Sequence, residues 1–153
     1  MIANGKYCGW HFLKENGSFM RRMRMLSECC RRKEHDICRR LSLSSAQLAC
    51  LMSFPEKEDA GVVRVSERLE LSPFRVSRIV GSLVRRGLVA RERSTSDRRR
   101  EKLDLTQKGR GVRRSIDFAL DVCDKRLRRT LGAAHARELE HALDRLLEAL
   151  QGL

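Results

Sequence analysis

Apolar residues recur along this chain with two different periods. Phe19, Met23, Leu26, Cys30, Ile37 and Leu41 follow one another at steps of four, three, four, seven and four. That spacing predicts one helix over residues 18–41 with a single apolar stripe. Ser18 is placed to cap it, and Arg21, Arg22, Arg31, Arg32 and Arg39 occupy its polar side. A second helix starts at Ser44 or Ser45 and runs to about Phe54, where Pro55 and the charged stretch Glu56–Asp59 end it. Residues 62–86 read as two short helices with a tight turn. The first holds Val65, Ser66, Leu69 and Leu71. The second begins at Ser72 as N-cap with Pro73 at its first position. Its Val76, Ile79, Val80, Leu83 and Val84 follow the pattern of a helix buried on one side. Gly87 stands where a helix end favours a left-handed backbone.

The period then changes. Leu88, Val89 and Ala90 form a short apolar run, and Leu103 and Leu105 alternate with Lys102 and Asp104 as in a half-buried strand. Between them, 91–100 reads as a polar hairpin tip rich in arginine. Thr106 can cap a following helix to about Leu131, with Ile116, Leu120, Cys123, Leu127 and Leu131 on one face and Gly132 as its stop. A last helix covers about 133–150, with Leu139, Leu143, Leu146, Leu147 and Leu150 on one side. Residues 1–17 have no clear period and read as an irregular arm, with a short helix near Trp10–Lys14. The expected class is mostly α with a small β wing.

Charge changes this picture. The chain has 153 residues and a formal net charge of +13. The excess is segregated: 64–113 carries 15 Lys/Arg against 6 Asp/Glu, 21–40 carries 8 against 3, and 114–153 carries 7 of each. Clustered cations of this density point to a polyanionic partner, because they displace counterions from a phosphate backbone. Two helices, a tight turn and a basic hairpin form the order of a winged helix-turn-helix. In such a head, the second helix buries one face to hold its angle and offers the other to the major groove of double-stranded DNA. The expected reading face holds Phe74, Arg75, Ser77, Arg78, Ser82 and Arg85. Arg75 and Arg78 are one turn apart near the helix start, and either could bind guanine O6 and N7. Ser72 and the adjacent free amides could hold a phosphate. At the hairpin tip, Arg98, Arg99 and Arg100 could enter a narrow minor groove, and Asp97 could orient one guanidinium. A non-specific architectural DNA-binding protein stays open as an alternative.

These residues resemble the MarR family of bacterial transcription regulators. Val65-Ser66-Glu67-Arg68-Leu69-Glu70-Leu71-Ser72 is similar to the family's first reading-head helix and turn. The run Val76-Ser77-Arg78-Ile79-Val80-Gly81-Ser82-Leu83-Val84-Arg85-Arg86-Gly87-Leu88-Val89 resembles its recognition helix leading into the wing. Asp97-Arg98-Arg99-Arg100 and Leu105-Thr106-Gln107-Lys108-Gly109 resemble the wing tip and the helix start behind it. The resemblance implies an obligate homodimer on a pseudo-palindromic operator, commonly a repressor, released by a small aromatic acid, an oxidant or a metal. It implies a dimerisation helix over 18–43, a DNA-binding region over 44–111 and C-terminal dimerisation helices over 112–153. It also implies that Arg99 enters the minor groove supported by Asp97. Two features depart from the family: Glu70 stands in a turn where glycine is common, and the first helix is rich in cysteine.

The six cysteines are Cys8, Cys29, Cys30, Cys38, Cys50 and Cys123. No pair has the CxxC spacing of a zinc ribbon. Cys30 and Cys38 lie about 12 Å apart along one helix, too far for a direct disulfide. Cys50 and Cys123 read as small hydrophobes, and Cys30 lies on the apolar stripe. Cys29 beside Arg31 and Arg32 could have a lowered pKa. Cys8, Cys29, Cys30, His35 and Cys38 together could bind a soft metal or an iron–sulfur cluster. No cofactor is otherwise implied. There is no Ser-His-Asp order, no paired buried carboxylates and no phosphate-cradling glycine loop, so an enzyme is not expected. No membrane-length apolar run and no signal-peptide stretch are seen, so the expected location is cytoplasmic, with reduced thiols.

Overall fold

A computed structural model describes residues 18–55, 61–93 and 101–151. The described elements are mostly helical, with one two-stranded antiparallel sheet. The chain divides into two compact units, Met1–Ser45 and Ala46–Leu153.

The first unit contains α1 (Phe19–Arg40). Ser18 caps it as expected, its hydroxyl accepting from the Arg21 amide at 3.4 Å. Ser42 turns left-handed at φ 52°, and the Leu43 amide returns to the Cys38 carbonyl at 2.8 Å. That bond gives the helix end a partner for a carbonyl that would otherwise lack one. Ile37, Cys38 and Leu43 are buried, whereas Phe19, Met20 and Leu26 at the other end are exposed.

The second unit is built from α2 (Ser45–Ser53), α3 (Val62–Leu69), α4 (Pro73–Arg85), β1 (Val89–Arg93), β2 (Glu101–Leu105), α5 (Gln107–Leu131) and α6 (Ala133–Gln151). Its core is aliphatic: Leu48, Leu51, Val65, Val76, Val80, Leu83, Leu88, Val89, Leu103, Leu105 and Ile116 are all buried. α3 packs on α4 and β2, α4 on β1, and α5 on β2 and α6.

The turn between α3 and α4 places Glu70 in the left-handed region, φ 53° and ψ 38°. A side chain there costs roughly 1 kcal/mol relative to the right-handed form. The turn holds it because the Leu71 amide bonds the Ser66 carbonyl at 3.1 Å. Where α4 ends, Gly87 adopts φ 67°, and the Leu88 amide reaches back to Leu83 at 2.9 Å, the expected glycine-terminated helix end.

The strands reach further into the polar hairpin than the apolar pattern indicates. Val89 faces Leu105 and Arg91 faces Leu103, and the ladder continues through Glu92–Lys102 to Arg93–Glu101. Backbone pairing extends beyond the apolar residues because ladder hydrogen bonds join main-chain groups and do not depend on side-chain polarity.

The corner joining α4, β1 and α5 is closed by backbone contact. The Thr106 hydroxyl donates to the Gly87 carbonyl at 2.7 Å and accepts from the Gly109 amide at 2.9 Å. The Thr106 amide bonds the Leu88 carbonyl at 3.1 Å, and Lys108 Nζ donates to the Arg86 carbonyl at 3.0 Å. A Cβ on Gly109 would lie 1.9 Å from the Leu88 carbonyl oxygen, whereas one on Gly111 would meet nothing within 4 Å. The two glycines of one helical turn therefore have opposite sensitivities. Gly109→Ala is expected to destabilise the chain by about 3 kcal/mol, the upper end for overpacking. Gly111→Ala is expected to stabilise it by about 0.5–1 kcal/mol. Urea midpoints of the two variants check the pair, and equal effects would exclude the close contact.

Candidate nucleic-acid interface

One face of α4 is covered and its opposite face is bare. Val76, Val80 and Leu83 are buried in the core. Phe74, Arg75, Arg78 and Arg85 are exposed, Phe74 by 72%. The helix start is well formed: the Ser72 hydroxyl accepts from the Arg75 amide at 3.5 Å, and Pro73 occupies the first turn. Its positive dipole end and the two guanidinium groups near it favour an anion at the same place.

Ser77 and Ser82 differ from the fully exposed residues expected. Ser77 is half-buried, and its hydroxyl lies 3.5 Å from the Arg91 guanidinium on β1. Ser82 is also half-buried. Its hydroxyl donates to the Ile79 carbonyl at 2.7 Å and accepts from Gln47 Nε2 at 2.9 Å. It is therefore occupied within the protein, because α2 approaches that side of α4. Arg86 is engaged there as well, donating to Gln47 Oε1 at 3.0 Å. At the base of the wing, Arg110 of α5 donates to the Leu105 carbonyl and lies 3.6 Å from the Asp104 carboxylate. Asp97, Arg98, Arg99 and Arg100 lie outside the described residues.

The profile of the MarR family matches residues 43–100. These residues include α2, α3, the turn, α4 and β1, whose geometry is set out above. The winged-helix segment is a MarR-family segment. Solved structures share the fold over nearly the whole chain. A point mutant of S. aureus MepR superposes with TM-score 0.76 at 18% identity, covering 87% of this chain and 98% of that one. Apo MarR from E. coli gives 0.71 at 22% identity, with 87% and 98% covered. A S. aureus MepR–DNA complex gives 0.66 at 19% identity, with 83% and 96% covered. No relative among the curated proteins matches the sequence.

Outside the MarR-family segment, the thiols of α1 are placed differently from the helical-stripe expectation. Cys30 is exposed and Cys29 half-buried. The guanidinium groups of Arg31 and Arg32, expected to act on Cys29, both bond the Glu28 carboxylate, Arg32 at 3.1 Å. Those bonds hold the Glu28 carboxyl below its usual range. Cys38 is buried, and desolvation pushes its thiol up, partly offset by a hydrogen bond with Ser45. Among the described residues, no three His, Cys, Asp or Glu side chains gather as a metal site. The expected set of Cys29, Cys30, His35 and Cys38 is therefore not assembled within the described chain, and Cys8 lies outside it. The reason is helical geometry, since Cys30 and Cys38 are more than two turns apart.

Several residues that brace the MarR-type head carry no local sequence signal. Gln47 contacts α4 across 35 residues of chain. The end of α2 is held by two cations from different elements: Arg68 of α3 donates to the Ser53 carbonyl at 2.7 Å, and Arg113 of α5 donates to the Phe54 carbonyl. Cations at a helix C-terminus satisfy both its free carbonyls and its negative dipole end.

Cys50 is fully buried, and burial pushes its thiol from 9.0 up to about 12. Below pH 9 it is protonated in both folded and unfolded chains and contributes no pH dependence. Above that, the unfolded chain loses the proton while the folded chain keeps it, so stability falls as pH rises from about 9 toward 12. Cys50→Ala is expected to flatten this slope in urea titrations. Among the described thiols, alkylation at neutral pH is expected to label Cys30 first, with Cys38 and Cys50 reacting only at the unfolding rate, as read by mass spectrometry of digests. Fast labelling of native Cys50 would contradict its burial.

Proposed function

We propose that this chain is a transcription regulator that binds double-stranded DNA as a homodimer, with α4 in the major groove. The observation that carries this reading is the division of α4. Its buried Val76, Val80 and Leu83 fix the helix on the head, and its capped end exposes Phe74, Arg75 and Arg78. A two-stranded wing follows directly, the sequence between its strands is rich in arginine, and the MepR–DNA complex shares the fold. In this reading Ser72 and the first-turn amides hold a phosphate, and Arg75 and Arg78 meet base edges. Arg99, oriented by Asp97 and flanked by Arg98 and Arg100, enters the minor groove. Ser77 and Ser82 serve inside the head.

Dimerisation is supported by apolar surface that one copy leaves uncovered. Leu120, Leu127 and Leu131 on α5 continue the stripe of buried Ile116, and Leu139, Leu147 and Leu150 continue along α6, all exposed. Phe19 and Leu26 do the same on α1. A second copy burying these faces would make 18–43 and 112–153 the dimerisation segments and 44–111 the reading head. The heads would then sit about 34 Å apart, one turn of DNA. Regulation follows as repression released by a small ligand, oxidant or metal that favours a different head spacing.

Selection of bound duplexes from a random pool, with reduced protein at physiological salt, tests the reading. An enriched inverted repeat with half-sites one turn apart is the expected result. Salt-sensitive retention without enrichment would indicate an architectural DNA-binding protein instead. On the enriched duplex, Arg75→Ala is expected to cost about 1–3 kcal/mol and relax preference at one position per half-site. Arg99→Ala is expected to weaken binding with no loss of folded structure by circular dichroism, and unchanged affinity would remove the wing from the interface.

A further inference from the structure

We propose that Gln47 is the positioning residue for the reading helix: its side-chain amide clamps α4 at Ser82 and Arg86 and thereby sets the rotation of Arg75 and Arg78. The proposal rests on the DNA-binding reading above and assigns the part of the head that aims it.

Arg75, Arg78, Ser82 and Arg86 follow at steps of three, four and four, so they lie along one ridge of the helix. The N-terminal end of that ridge is exposed and its C-terminal end is held. Gln47 holds it at two points one turn apart, donating from Nε2 to Ser82 at 2.9 Å and accepting on Oε1 from Arg86 at 3.0 Å. The chemistry allows only this orientation of the amide. The Ser82 proton is already given to the Ile79 carbonyl at 2.7 Å, so Ser82 must accept, and a guanidinium can only donate.

Two directional bonds to successive turns of one ridge resist both rotation and sliding. The aliphatic contacts of Val76, Val80 and Leu83 hold the helix against the core but are not directional. Arg86 is also tied through its backbone carbonyl to Lys108 of α5 at 3.0 Å. The last turn of α4 is thus fixed by α2 on its ridge and by α5 at its end. Because the helix is stiff, its orientation there is carried to the residues one and two turns earlier.

The test compares wild type, Gln47→Met and Gln47→Glu, all well below their unfolding temperatures. Met keeps the length and packing but forms neither bond. Glu keeps a stronger acceptor for Arg86. Hydrogen exchange of the free protein reads the clamp at the amides of residues 83–88, and binding to the selected duplex against a scrambled one reads the aim. Gln47→Met is expected to speed that exchange and to lower the selectivity ratio about three- to tenfold, the scale of one or two net hydrogen bonds. Affinity for the scrambled duplex should hardly change, and Gln47→Glu should restore much of both readouts. Unchanged exchange in Gln47→Met, or faster exchange with an unchanged selectivity ratio, would overturn the proposal. A wild-type chain that selects no sequence would overturn the regulator reading itself, while the exchange data would still report whether the clamp exists.

Discussion

The head depends on a close approach between two backbones. The first turn of α5 sits directly against Leu88, at a distance that only a glycine at 109 permits. Three elements meet there: the end of α4, the start of β1 and the start of α5. Thr106 and Lys108 close the junction by bonding the Gly87 and Arg86 carbonyls. Without that approach, the chain leaving α4 and the chain returning through β2 would have separate supports. With it, the helix, the wing and the long scaffold helix share one anchor.

The charges are arranged around this anchor in two ways. Some arginines are structural: Arg68 and Arg113 finish the end of α2, Arg86 joins Gln47, and Arg110 ties the wing base. Others, Arg75 and Arg78 above all, stand exposed at the start of a capped helix. A net charge of +13 therefore does not translate into a uniform coat of phosphate contacts. Part of the basic composition holds the head together, and another part remains available to a partner.

Much of this architecture was legible in the sequence because its signals are local. Helical stripes, Ser18, Ser72 and Thr106 as caps, and Gly87 and Gly132 as stops each act within a few residues. The left-handed Glu70 was marked by its position in a turn where glycine is common. The strands ran longer than their apolar residues indicated, since ladder bonds do not depend on side-chain polarity. Ser82 was assigned to the bare face because helical periodicity reports direction but not what lies in that direction. Gln47, the residue opposite it, is distant in the chain and common in type, so nothing nearby marks the pair. Cys30 was placed on the apolar stripe yet is exposed, because an apolar stripe need not be covered along its whole length.

The length of α5 has a mechanical consequence. It runs without a break from Gln107, at the junction with the reading helix and wing, to Leu131. Twenty-five residues of α-helix make a rod of about 37 Å, so a tilt of roughly 5° about one end carries the other through about 3 Å. That displacement is comparable to the rise of one base pair along a DNA strand, about 3.4 Å. In a head that reads DNA as proposed above, the helix would be a lever whose long arm ends at the head, and a pivot far from any nucleotide would need to turn very little to move Arg75 and Arg78 from one step of the duplex to the next.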